Sequence, residues 1–134
     1  MTGGQFSCTT PEQASVASSF LNLLEKPFDV CDVAACAGAP FVARSSVYRK
    51  NLQVLLAEAI SFEGFAVVDL WGGCPARYTK KNPLSPKEIE AAIEKLPPYQ
   101  GVVSTNIRRE YSSHYRQEAA NDFGEVDWHG IEKT

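Results

Sequence analysis

The sequence predicts an α/β fold: a parallel sheet with flanking helices, left incomplete by this chain. Three observations carry that reading. Leu52, Leu55, Leu56, Ala59 and Ile60 form an apolar stripe at helical spacing that runs up to Gly64. Phe65 to Trp71 follows as a run of apolar residues broken by Asp69 alone, the pattern of a strand covered on both faces. The preceding segments repeat the same alternation, and helix–strand–helix–strand implies parallel strands joined by a right-handed crossover. Two parallel strands, however, have an edge on either side and cannot support an ordinary α/β domain. The remaining strands are therefore expected from an upstream segment or another chain.

The elements are justified in chain order. Gly3-Gly4 and Thr10-Pro11 punctuate an opening loop. A short helix is predicted around Ala14 to Leu24, with Phe20, Leu21 and Leu24 on one side, and Lys26-Pro27 ends it. Asp29 is placed to cap a second helix carrying Val30, Val33, Ala34 and Ala37, and Gly38 is placed to stop it. Pro40 to Arg44 reads as a short strand and Ser45-Ser46 as a turn. The striped helix, residues 47–62, and the strand Phe65 to Trp71 follow. Ser85-Pro86-Lys87-Glu88 is a helix start: a Ser cap, Pro in the first turn and a Glu that closes a capping box. Ile89, Ala92, Ile93 and Leu96 supply its stripe and Pro97-Pro98 ends it. A last helix is predicted from Arg108 to Ala120, with Tyr111 and Tyr115 one turn apart, and the residues after Asn121 read as a tail.

Composition narrows the function classes. A chain of 134 residues with 44% hydrophobic residues is of ordinary domain size and globular composition. A net charge of −3 gives no electrostatic case for nucleic acid, and Lys80-Lys81 is too short to supply one. Met1 to Cys8 has neither a basic region nor an apolar run, and Phe65 to Trp71 is too short to span a bilayer. The reading is a cytoplasmic protein with neither a membrane nor a nucleic-acid partner.

The four cysteines, Cys8, Cys31, Cys36 and Cys74, form no C-x-x-C pair, so neither a zinc ribbon nor a thioredoxin motif is indicated. Cys31 and Cys36 share one predicted helix and point about 140° apart, which suits neither a disulfide nor chelation. They read as reduced, buried thiols. In parallel sheets ligands bind beyond the carboxyl ends of the strands. Arg44-Ser45-Ser46 and Gly72-Gly73-Cys74 both fall at that edge. Cys74 is the one cysteine so placed, with an inert space-filling thiol as the alternative. Thr2-Gly3-Gly4-Gln5 could present backbone amides to an anion or simply be a flexible terminus. His114 and His129 read as surface residues, and Glu110, Arg116 and Glu118 as solvated helix charges. There is no Walker A sequence and no G-x-G-x-x-G, and spacing nominates no catalytic residue.

The motifs themselves resemble a known family. Met1-Thr2-Gly3-Gly4-Gln5-Phe6-Ser7-Cys8-Thr9-Thr10-Pro11 is similar to the loop after the thiamine diphosphate motif in 2-oxoacid:ferredoxin oxidoreductase β subunits. Ala37 to Arg44 and Ala59 to Asp69 resemble two successive helix-to-strand passages of that family. Cys74-Pro75-Ala76-Arg77-Tyr78 and Asn82 resemble its cysteine-proline segment. The match covers residues 1–82 in order. It implies that 1–82 is the C-terminal part of the thiamine-diphosphate-binding domain and 83–134 a helical extension and tail. The Leu70 to Tyr78 stretch is most similar to members assigned to 2-oxoglutarate.

The resemblance implies oxidative decarboxylation of a 2-oxoacid to an acyl-coenzyme A, with electrons passed to ferredoxin. Its cofactors in the complete complex are thiamine diphosphate, magnesium and a [4Fe–4S] cluster; none is expected on this chain alone. The implied partners are other oxidoreductase subunits (α/γ, or the remaining β segment), ferredoxin, coenzyme A and the 2-oxoacid. Met1, Thr2 and Gly3 would border the cofactor and substrate, Gly4 and Gln5 would support that loop, and Cys74 would be the fourth cluster ligand. The family's G-D-G-D motif, its asparagine-rich turn and its upstream cysteines do not occur here. Met1 resembles a methionine inside the family's motif, so a truncated or split subunit, inactive alone, is expected. The alternative is a non-catalytic remnant or assembly module.

Overall fold

The computed structural model describes residues 5–17, 20–104 and 111–123. Met1, Thr2, Gly3, Gly4, Glu110, His129 and most of the predicted tail lie outside them, as does the side chain of His114. The elements in order are α1 (Leu21–Leu24), α2 (Val30–Cys36), β1 (Phe41–Ser46), α3 (Leu52–Ser61), β2 (Ala66–Trp71), α4 (Pro86–Ile93), β3 (Gln100–Val102) and α5 (Tyr111–Phe123).

β1 and β2 pair in parallel, in a register that runs from Phe41 opposite Ala66 to Ser46 opposite Trp71, with α3 unbroken between them. The helix–strand–helix–strand reading holds. The count of two strands does not. β3 pairs antiparallel with β1, Phe41 opposite Val102 and Ala43 opposite Gln100, giving a mixed sheet of order β2-β1-β3. This strand is three residues long, too short for a pattern in the sequence to reveal it. Tertiary contact creates it: Gly101 sits at φ 135°, a region L side chains rarely adopt, and the Phe41 ring packs against the space its side chain would take.

Local chemistry explains most boundaries. Asp29 caps α2 by accepting from the amides of Cys31 (2.9 Å) and Asp32 (3.1 Å), and Gly38 at φ 94° ends the passage. Ser85 and Glu88 close the capping box of α4, with Pro86 in the first turn. Ser45-Ser46 proves to be strand and not turn. Both side chains are buried, and their hydroxyls are satisfied locally: Ser45 Oγ donates to the Ser46 carbonyl and Ser46 Oγ accepts from the Tyr48 amide. The predicted first helix shrinks to α1. Buried Asn22 donates through Nδ2 to the carbonyls of Pro11, Glu12 and Ala14, so a side chain satisfies the loop that a longer helix would have replaced. α5 spans Tyr111–Phe123, so residues 122 and 123 are helix and not tail, while the predicted start at Arg108 lies outside the described residues. Cys36 is exposed, correcting its reading as a buried thiol; Cys31 is fully buried.

The core is small. Cys31, Ala39 and Val42 form its centre, with Ala34, Ala35, Val67 and Tyr99 packed on it. All six residues of β1 are buried, including Arg44, whose side chain is 2% exposed. Arg44 and Asp69 are register partners and so lie on the same face of the sheet. Nε of Arg44 donates to Asp69 Oδ2 (3.1 Å), Nη1 to the Pro97 carbonyl (3.3 Å) and Nη2 to Asp29 Oδ1. One guanidinium thus joins β2, the start of α2 and the segment leading into β3. Its ring neighbour Tyr99 lies 5.8 Å away, in cation–π range, and bonds Asp32 of α2 through its hydroxyl (2.7 Å).

Arg44→Leu should therefore destabilise the chain by about 3–5 kcal/mol, because it strands two partly buried carboxylates. Arg44→Lys should fall between leucine and wild type, since an ammonium cannot donate along three directions in a plane. Urea denaturation followed by circular dichroism reads both; a leucine variant within about 0.5 kcal/mol of wild type would contradict the hub.

Candidate functional site

The carboxyl ends of β1 and β2 meet at one edge, where the Val47 amide donates to the Trp71 carbonyl (2.9 Å). A cleft of about 650 Å³ lies there. Its charged lining comes from Glu12, Asp29, Arg44 and Asp69, and its apolar lining includes Phe28, Leu70, Trp71, Ile89, Ala92 and Leu96. Cys74 and Tyr78 also line it, so the polar hub and the cysteine loop share one cavity.

Gly72 and Gly73 lead from β2 into this loop. A Cβ on Gly72 would lie 3.1 Å from a Val47 methyl and one on Gly73 3.2 Å from a Thr79 methyl. Both glycines thus allow close packing of the turn. Residues 75–81 then coil in successive turns, folding the chain back over Cys74. The amide and hydroxyl of Thr79 both donate to the Cys74 carbonyl, at 3.1 and 3.3 Å. The nearby backbone amides of Arg77, Ala76 and Tyr78 hold the Cys74 pKa below the ordinary thiol value, which favours the thiolate. Asn82 fastens the loop: its Nδ2 donates to the carbonyls of Tyr78 (3.1 Å) and Ser15 (3.0 Å), and its Oδ1 accepts from the Ser15 amide (2.6 Å). The N-terminal loop is held in turn at the Cys8 carbonyl, which accepts from the Phe28 amide (2.7 Å).

The two thiols nearest the hub contrast. Cys31 lies under β1, with its sulfur 3.8 Å from the Ala43 carbonyl and 4.0 Å from Asp69 Oδ2. Burial, with the neighbouring carboxylates, pushes its pKa up to about 11, although Arg44 opposes them. Arg44 itself is held above its usual value: burial works against the cation, and its hydrogen bonds to Asp69 and Asp29 outweigh that. The Asp32 carboxylate and, to a lesser degree, burial raise the Tyr99 hydroxyl to about 12.

The structure brings Arg44-Ser45-Ser46 and Gly72-Gly73-Cys74 to the same edge, as the strand order predicts. It gives them different roles. Ser45 and Ser46 are buried in the strand, Arg44 is committed to carboxylates, and Cys74 is the group presented by a loop. Gln5 is exposed in the N-terminal loop, and Met1 to Gly4 lie outside the described residues. Among the described residues no three His, Cys, Asp or Glu side chains converge as a metal site, and no helix is long and apolar enough to cross a membrane. Sequence reasoning missed Asp29 as an ion-pair partner, having seen it only as a cap, and missed Asp69 and Trp71 altogether. The charge inside an otherwise apolar strand was the available signal: Asp69 accepts from Arg44 and from Trp71 Nε1 (2.8 Å).

No protein-family model matches the chain, and no solved structure does. Curated proteins match. The chain is 42% identical over 76 residues to the 2-oxoglutarate synthase subunit KorB of Archaeoglobus fulgidus, covering 56% of this chain and 28% of that protein. It is 33% identical over 91 residues to KorB of Methanothermobacter marburgensis, covering 66% and 32%. With KorB of Methanocaldococcus jannaschii it shares 34% identity over 83 residues, covering 61% and 31%. It thus spans about a third of the length of the curated relatives it matches.

Two solution measurements follow from the thiols. In a Cys8→Ser, Cys36→Ser background, iodoacetamide at neutral pH should label Cys74 within minutes and leave Cys31 unlabelled until denaturant is added; equal labelling would contradict the contrast in their settings. The Cys31 pKa is raised on folding, so its contribution to stability is fully present below the unfolded value of 9.0 and is lost as pH rises through about 11. Stability to urea should therefore fall across that window, and Cys31→Ala should flatten the fall.

Proposed function

We propose that this chain, a KorB-like relative of 2-oxoglutarate:ferredoxin oxidoreductase β subunits, supplies the cluster-facing end of such a subunit in a larger assembly. The substrate favoured is 2-oxoglutarate, with an acyl-coenzyme A as product and ferredoxin as electron acceptor. In this reading residues 1–82 belong to the cofactor-binding domain and 83–134 extend it. The carrying observation is the setting of Cys74: a cysteine that follows the carboxyl end of a parallel strand and two glycines, lines the cleft and sits in a loop closed by Thr79 on its own carbonyl.

That setting fits a cluster ligand. Cluster sulfurs are thiolates, and hydrogen bonds to them stabilise the negative charge and tune the reduction potential. Asn82 and Thr79 hold the loop in its conformation. A cluster takes about four cysteine ligands, so the others come from elsewhere in the assembly. Met1, Thr2 and Gly3 border the thiamine diphosphate pocket in this reading, with Gly4 and Gln5 supporting that loop, and the fastening of residues 8–15 to Phe28 and Asn82 holds its continuation against the cysteine loop. When bound, thiamine diphosphate supplies the electron sink for decarboxylation and the cluster the path to ferredoxin. The chain's own contribution is to place a thiolate beside the cleft and to hold it there.

A second reading, a non-catalytic assembly module, draws on the share of the relatives that the chain spans, about a third.

Cys74→Ser in the assembled oxidoreductase separates the readings. The expected result is a loss of about four iron atoms per cluster, disappearance or a shift of the reduced-cluster electron paramagnetic resonance signal, and slower ferredoxin reduction with part of the decarboxylation retained. An unchanged signal and an unchanged ferredoxin rate would reject the ligand role and favour the module. Calorimetry of the chain alone with thiamine diphosphate and magnesium should show no micromolar binding, because the diphosphate and magnesium ligands are expected on another segment.

A further inference from the structure

The charge of this chain is segregated. Residues 45–57 and 70–87 hold six of its 13 Lys and Arg and none of its 16 Asp and Glu. The other seven bases accompany all 16 acids, so +6 in two stretches stands against −9 in the rest, which gives the net −3. The six are Arg49, Lys50, Arg77, Lys80, Lys81 and Lys87, and all are exposed. Among the described residues both ion pairs are made by Arg44, so no carboxylate there neutralises any of the six.

The fold gathers these charges. Tyr48, Thr79 and Leu84 converge beside Gly73, with atoms 3.9, 3.2 and 3.7 Å from where its Cβ would lie. Each of the six bases is within three residues of one of those side chains, hence within about 11 Å along the backbone. Gly73 immediately precedes Cys74. The stretches that leave β1 and β2 therefore form one basic rim beside the cysteine loop. Of the carboxylates that line the adjoining cleft, Asp29 and Asp69 are spent on Arg44, which leaves Glu12.

We propose that this rim docks an acidic protein electron carrier over Cys74. The proposal rests on the reading of Cys74 as a cluster ligand and names the surface by which the electron acceptor approaches. Electron-transfer encounters are small and brief, and charges at their rim steer the partner and set the on-rate. A lasting subunit interface fits less well, because lysine is depleted in the buried core of such interfaces. A nucleic acid also fits less well. Its charge continues along its whole length, past the rim and onto a surface of net −9 that repels it, whereas a compact acidic protein meets the rim alone.

Ferredoxin reduction by the assembled oxidoreductase tests this, with an acidic ferredoxin and the small cation methyl viologen as alternative acceptors. For wild type, kcat/KM for the ferredoxin should fall ~10-fold or more as ionic strength rises from about 20 to about 300 mM, and that for viologen should not fall. Lys50→Glu and Lys81→Glu, one from each stretch, should each lower kcat/KM for the ferredoxin ~10-fold and leave viologen reduction and the cluster's electron paramagnetic resonance signal unchanged. Lys95→Glu, the same charge change beyond the far end of α4, should match wild type. Both rim variants keep Cys74, so the cluster signal reports on the KorB reading and the ferredoxin rate on the docking. Wild-type ferredoxin rates in both rim variants overturn the docking alone. A parallel loss with viologen overturns it too, since the loops' structure and not their charge would then matter. So does failure of the variants to assemble, which would make the rim a subunit contact. Tighter binding of a single-stranded DNA probe than of the ferredoxin, at equal ionic strength, overturns it in favour of a nucleic acid.

Discussion

The buried guanidinium of Arg44 is the interaction on which this arrangement turns. A cation taken out of water is costly unless its donors are met, and here two carboxylates and a carbonyl meet them. Those acceptors come from three separate stretches: the cap of α2, the centre of β2 and the segment before β3. Satisfying one side chain therefore fixes three parts of the chain relative to the central strand. Asp29 serves twice, since the oxygen that caps α2 also receives Arg44. The hub specifies an arrangement more than it stabilises one, because an apolar replacement of the whole network could be equally stable.

From that hub the cysteine loop is placed by short steps. Asp69 orients Trp71 through the indole nitrogen, the Trp71 carbonyl accepts from Val47, and Gly72-Gly73 then turn the chain against Val47 and Thr79. Cys74 emerges at the mouth of the same cleft that the hub lines. Backbone amides lower the pKa of the sulfur there, whereas burial, with Asp69 and Asp29 adding to it, raises that of Cys31 beside the hub. Two thiols in one small chain thus differ by what surrounds them.

The rest of the surface reads as unfinished. One strand is fully buried, its parallel neighbour is not, and α3, for all its apolar stripe, has no buried residue. Among the described residues the buried apolar side chains are mostly small, with Cys31, Ala39 and Val42 at the centre of their main cluster. The KorB-like relatives are about three times longer than the part they share with this chain, and the apolar surfaces left open here are of the kind a larger sheet would cover.

Much of this was legible in the sequence wherever local rules decide. The caps at Asp29 and Ser85, the stop at Gly38, the unbroken α3 and the parallel pairing of β1 with β2 all follow from side-chain spacing and backbone preference, which act within a few residues. The prominence of Cys74 and the glycines before it was legible for the same reason. Tertiary structure decided what depends on partners far along the chain. β3 exists because β1 offers it an edge. Ser45-Ser46 stay in the strand because their hydroxyls find acceptors and donors close by. The first helix gives way to a loop because Asn22 satisfies its carbonyls. The joining of Asp29, Arg44 and Asp69 could not be read from residues spaced 15 and 25 apart, since a buried charge recruits its partners by position in space and not by distance along the chain.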